Sequence, residues 1–219
     1  MGFGLLFIGY IFFLYVFPVG PEFLSVAAAI LLMALYKLAP YHAGFRRAAY
    51  LSVVLLVLGL PALASILLEG YGVTLPLSPT VSACFTATAW ATLIVFHWLL
   101  FGAIADLAKA TSLFRLQVAA TQNRIFTAVF CALLLINQVL TPYVVSQLSE
   151  TDGKRVLLYI LIGKALFGLI ICTLNLVMLY SAYMRICRPG EEQRGIAEYE
   201  QFIDTKNAAK GPSKEDPDK

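Results

Sequence analysis

The run LLYILIGKALFGLIICTLNLVMLY, residues 157–180, carries Lys164 in its interior. An ammonium in such a run has three chemical uses: it binds an anion, it pairs with a carboxylate, or it sheds its proton and serves as a base. Counted from Val156, its Cα lies about 12 Å below the start of the run at 1.5 Å per residue. That depth is well inside a hydrocarbon core about 30 Å thick. Helical side chains lean toward the N-terminus, so snorkelling outward is the structural alternative, although the reach is short.

The preceding apolar run contains Asn137 and Gln138, and the two runs are joined only by SETDGKR. As antiparallel neighbours they bring Gln138, about 14 Å from its own end of the run, to the depth of Lys164. Successive residues on a helix point about 100° apart, so one of the two carboxamides faces Lys164. Lys164, Gln138 and Asn137 therefore form the first candidate binding cluster. No Asp or Glu stands within the apolar core of any run. The countercharge must come from water, a bound anion or another subunit.

Two further polar residues are secondary candidates. His97, in IVFHWLLFG, has the chemistry of a proton shuttle or of a hydrogen-bonded packing residue. Asn175 suits a hydrogen bond between helices. The sequence holds no HExxH, no GxSxG and no phosphate-cradling glycine loop, and its two histidines, His42 and His97, give no basis for a metal or haem site. No catalytic residue, metal or cofactor is assigned. Cys84, Cys131, Cys172 and Cys187 have no metal or redox spacing and read as small apolar packing residues plus a free thiol.

The elements that must hold these residues follow from composition. Of 219 residues, 60% are hydrophobic and 13% charged, and the mean hydropathy is +0.80. The charges fall between long apolar runs, as in a polytopic helical membrane protein and unlike the short alternation of a β-barrel. A net charge of +3, with the basic residues at run ends, argues against a nucleic-acid partner. Six spans are predicted, at 2–18, 22–38, 48–68, 81–103, 125–147 and 156–184. The first is read as a retained helix, since no basic residue precedes it and no small-residue cleavage site follows. PVGPE should turn the first two spans into a hairpin, and Pro61 and Pro142 should kink spans three and five. Ala83, Ala87 and Ala91 offer a small-residue ridge for close packing.

Eight basic residues flank one side of these spans, namely Lys37, Arg46, Arg47, Lys109, Arg115, Arg124, Arg185 and Arg188, against Lys154 and Arg155 on the other. The positive-inside rule then sets both termini in the cytoplasm. Residues 104–124 read either as an interfacial helix on that surface, with Leu107, Ala110, Phe114 and Val118 on one face, or as a continuation of span four. Residues 1–187 make the transmembrane domain. The tail, 188–219, turns acidic from Glu191, with a short amphipathic helix expected over 191–209 and a disordered end.

The expected fold class is thus all-α, a bundle of six transmembrane helices in the lipid bilayer of a bacterial cytoplasmic membrane. The expected function is a component for small-solute or ion transport, or a membrane subunit of a larger complex or homo-oligomer. The alternatives are a membrane scaffold, and a lipid-acting enzyme using His97 and Asp106 near the inner headgroups.

Overall fold

The computed structural model describes residues 2–16, 23–72 and 79–186. The turn expected at PVGPE and the tail beyond 186 lie outside the described residues. The chain is all-helical there: α1 (Gly2–Ile11), α2 (Phe13–Val16), α3 (Leu24–Leu38), α4 (Ala43–Glu69), α5 (Pro79–Ala110), α6 (Phe114–Ser146) and α7 (Glu150–Ile186). Helices α4 to α7 are each long and apolar enough to cross a membrane, while α1 and α3 are shorter apolar helices. Pro61 lies inside α4, which runs on to Glu69. Ser65 donates its hydroxyl to the Pro61 carbonyl at 2.9 Å.

Each helix packs on its successor, α1 with α3 and then in order to α7, and α1 also packs on α7. The result is a closed ring. Its register is antiparallel, as short connections require: Gly2 lies beside Leu38, and Gly9 beside Leu31. Ser25 of α3 donates to the Leu56 carbonyl of α4 at 3.1 Å. That approach depends on Gly59, where a Cβ would stand 2.7 Å from the Ser25 backbone nitrogen. The alanine ridge expected on α5 plays no such part, because Ala83 and Ala91 are exposed and Ala87 half-exposed.

One end of the bundle gathers Lys37, Arg46, Arg47, Lys109, Arg115 and Arg185 around the α3–α4 and α5–α6 connections. His42 caps α4 there, its Nδ1 accepting from the Gly44 N–H at 3.0 Å. Its Nε2 lies 3.6 Å from an Asp106 carboxylate oxygen on α5.

The segment 104–124 is not one helix. Helix α5 continues to Ala110, and α6 begins at Phe114. Between them the Leu113 N–H bonds to the Ala108 carbonyl at 2.8 Å and the Ser112 N–H to the Lys109 carbonyl at 3.2 Å. That pair of bonds is a Schellman stop, which needs a residue in the left-handed region after the cap. Ser112 supplies it, with φ of 56°. The stretch is free of Pro and Gly, so the stop is silent in its composition. Helix α5 thus runs on past the end predicted for span four as far as Ala110, and a new helix starts at Phe114.

The apolar core fills only the basic end. It includes Phe3, Leu6, Tyr10, Phe45, Phe96, Phe101, Cys131 and Leu179, and no buried hydrophobic side chain among the described residues lies between 56 and 88 or between 135 and 171. The reason is length: α3 has 15 residues, about 22 Å at 1.5 Å per residue, whereas α7 has 37, about 55 Å. Beyond the level of Ser25 and Gly59 the long helices lose their inner packing partners. Hydroxyls on exposed faces there bond within their own helices, Thr86 to the Ser82 carbonyl at 3.0 Å and Thr88 to the Cys84 carbonyl at 2.8 Å. Surrounding hydrocarbon supplies no partner, which makes this the expected arrangement.

Replacing Gly59 with Ala should force α3 and α4 apart and cost about 1–3 kcal/mol. Gly163→Ala, where a Cβ meets nothing within 4 Å, should cost nothing. Thermal unfolding in detergent checks both, and equal midpoints would refute the close approach of Gly59 to Ser25.

Candidate functional site

The sequence's candidate residues divide between the two ends of the bundle. Lys164 on α7 and Asn137 and Gln138 on α6 are all half-buried and stand on the sparsely packed half. Asn137 Oδ1 accepts from the Thr141 hydroxyl, one turn further along α6, at 2.7 Å. The α6–α7 register is set nearer the basic end, where Asn123 pairs with Leu174 and Thr127 with Asn175. Carried along the helix pair, that register sets Lys164 at the level of Leu133 to Gln138. The neighbouring Gly163 has open space around its Cα.

His97 and Asn175 lie in the packed half, with 0% and 1% of their surface exposed. Asn175 Nδ2 donates to the Tyr10 hydroxyl and to Thr127 Oγ1, both at 2.8 Å. One carboxamide thereby joins α7 to α1 and α6. Cys172, one turn before Asn175, donates weakly through Sγ to the Tyr10 carbonyl at 3.8 Å. Asn175 Oδ1 is buried and finds no hydrogen-bond partner among the described residues, an arrangement that costs about 1–3 kcal/mol.

His97 sits among aromatic rings. Tyr10, Phe13, Phe96 and Phe101 stand 5.7, 5.5, 5.2 and 5.6 Å from it between ring centres. Its Nδ1 lies 2.8 Å from the Leu93 carbonyl. A carbonyl only accepts, so the proton is on Nδ1, and its bond turns back onto α5 itself. No carboxylate among the described residues belongs to this cluster. Asp106 lies nine residues from His97, about 13 Å along α5, and pairs with His42. The two therefore do not converge on one reacting atom, and a lipid-acting enzyme built on them finds no support in this geometry.

Sequence reasoning missed Tyr10 and Thr127, the partners of Asn175. A signal was present for Tyr10, whose hydroxyl lies mid-run in FIGYIFF and must find a partner when buried. Arg124, read from sequence as a flanking charge, is instead ten residues into α6, with its guanidinium carbon 3.7 Å from the centre of the Trp98 ring. No group of three or more His, Cys, Asp or Glu side chains suited to a metal occurs among the described residues. No family model, curated protein or solved structure matches the chain.

In the packed cluster the Asn175 amide nitrogen bridges two hydroxyls and so links three helices. In a double-mutant cycle, Tyr10→Phe and Asn175→Leu should couple by about 0.5–1.7 kcal/mol, the range of hydrogen bonds between membrane helices. Additive effects on unfolding in detergent would show that the two side chains do not interact.

Proposed function

We propose that the chain is a six-pass protein of a bacterial-type cytoplasmic membrane, with both termini inside, and that it works as a membrane subunit of a larger complex. Its docking region is the half of α6 and α7 that carries Lys164, Asn137 and Gln138. The supporting observation is the setting of these side chains, half-buried at one level where the chain contributes no apolar core of its own. Lipid tails cover an ammonium and carboxamides badly at that depth, whereas the polar face of another membrane helix suits them. A second copy of this chain brings no Asp or Glu within the apolar core of its spans, so a different chain fits better than a homo-oligomer.

The orientation rests on the basic residues gathered at one end of the bundle, which the positive-inside rule assigns to the cytoplasm. A reporter fused after Lys219 should be active only in the cytoplasm. Activity on the other side would overturn the six-pass topology.

A second reading, transport of a small anionic solute or ion, draws on the bonded pair Asn137 and Thr141, which extends a polar strip along α6 from the level of Lys164. One set of variants separates the two readings. On the subunit reading, a stoichiometric partner co-purifies in mild detergent and is lost in Lys164→Ala, while Lys164→Cys stays sealed from aqueous thiol reagents. Labelling of that cysteine with no partner lost would favour transport.

A further inference from the structure

A groove of about 250 Å³ opens between α6 and α7 at the basic end of the bundle, away from the Lys164 region. Its lining is graded. Arg115, in the first turn of α6, and Arg185, in the last turn of α7, stand at its mouth. Ser181 follows one turn below Arg185, and deeper along α7 the lining becomes Met178, Val177 and Leu174, with Gln122 and Asn123 of α6 at that depth. The helices are antiparallel, so the step from Arg185 to Leu174 descends about 16 Å at 1.5 Å per residue.

Asn123 holds the inner wall together. It is 7% exposed, and its Nδ2 donates to the Leu174 carbonyl at 3.0 Å, tying α6 to the floor of the groove. Two guanidinium groups and no carboxylate line the space. Arg115 and Arg185 are exposed, as are Val177 and Leu174. The groove thus offers positive charge at the membrane surface and bare apolar side chains below it.

We propose that this groove binds an anionic phospholipid of the leaflet at the basic end. The two arginines take the phosphate, and guanidinium forks suit phosphate oxygens. Ser181 lies at headgroup level, and the start of an acyl chain lies along Met178, Val177 and Leu174. At ~30 Å³ per water the space equals about eight waters, enough for a phosphate and the first methylenes. The rest of the lipid remains in the bilayer. A soluble anion would leave the apolar floor uncovered, and a zwitterionic lipid would bring its own quaternary ammonium to a mouth that already holds two positive charges. Basic clefts between membrane helices at the cytoplasmic face are suited to such headgroups.

The test is native mass spectrometry of the purified full-length chain, equilibrated in detergent with equal phosphatidylglycerol and phosphatidylcholine. Phosphatidylglycerol should be retained preferentially. The pair Arg115→Gln and Arg185→Gln should lower that preference by about thirtyfold, given about 1 kcal/mol for each basic residue at a membrane surface. The exposed pair Arg46→Gln and Arg47→Gln, outside the groove, should leave it unchanged. Val177→Trp, which fills the floor and keeps both arginines, should lower retention of the lipid as well. Three results would overturn the proposal: equal retention of phosphatidylcholine, an unchanged preference in the double arginine variant, or displacement of the lipid by inorganic phosphate, which would mark a site for the free anion.

Discussion

The ring of helices closes at one place, and the hydrogen bonds of Asn175 hold it there. Apart from the neighbouring contact of α2 with α7, every other contact in the ring joins helices that follow one another in the chain, which short connections bring together in any case. The contact between α1 and α7 has no such help. It joins residues 165 positions apart, through the Asn175 carboxamide and the Tyr10 hydroxyl. Lipid tails offer no partners, so polar groups at that depth turn to others from the same protein. The pairing is therefore selective as well as favourable. An α7 in another rotation would bury a carboxamide against hydrocarbon.

Around that lock the centre is filled by aromatic side chains. Tyr10 is the hinge between the two layers of this arrangement, since it receives Asn175 on one side and packs edge-on to His97 on the other. Phe13, Phe96 and Phe101 complete the enclosure of the imidazole. The bond from His97 to Leu93 satisfies its protonated nitrogen within α5, so the ring is accommodated among apolar neighbours as a packing element. This core ends where α1 to α3 end. The long helices go on without it, and their surfaces there are apolar outward and sparsely packed inward. Helical membrane proteins meet that situation with lipid or with other chains, because hydrocarbon covers Leu and Phe as well as protein does and covers Lys and Asn badly.

Much of the architecture was legible in the sequence because hydropathy reports the solvent directly. The apolar runs from 48, 81, 125 and 156 correspond to α4 to α7, the helices long and apolar enough to cross a membrane. What escaped was whatever depends on one backbone or side-chain geometry. The break at Thr111 to Leu113 had no glycine to announce it, since Ser112 takes the left-handed conformation. The alanines of α5 have the spacing of a packing ridge but face outward, while the close approach falls at Gly59. Spacing shows which residues share a face and leaves open what that face meets.

The polar residues show the same division. Their types and depths were readable from the runs alone. Which polar residues meet was decided by the fold. Asn175 found Tyr10 and Thr127, 165 and 48 residues away, and Arg124 found the ring of Trp98. The sequence by itself determined the helical class, the positions of the long helices and the gathering of basic residues between them, because those depend on transfer free energies summed over local windows. The tertiary structure alone decided which polar groups pair, where the core ends and where a groove forms, because those depend on helix rotation and length, which only contact between distant segments sets.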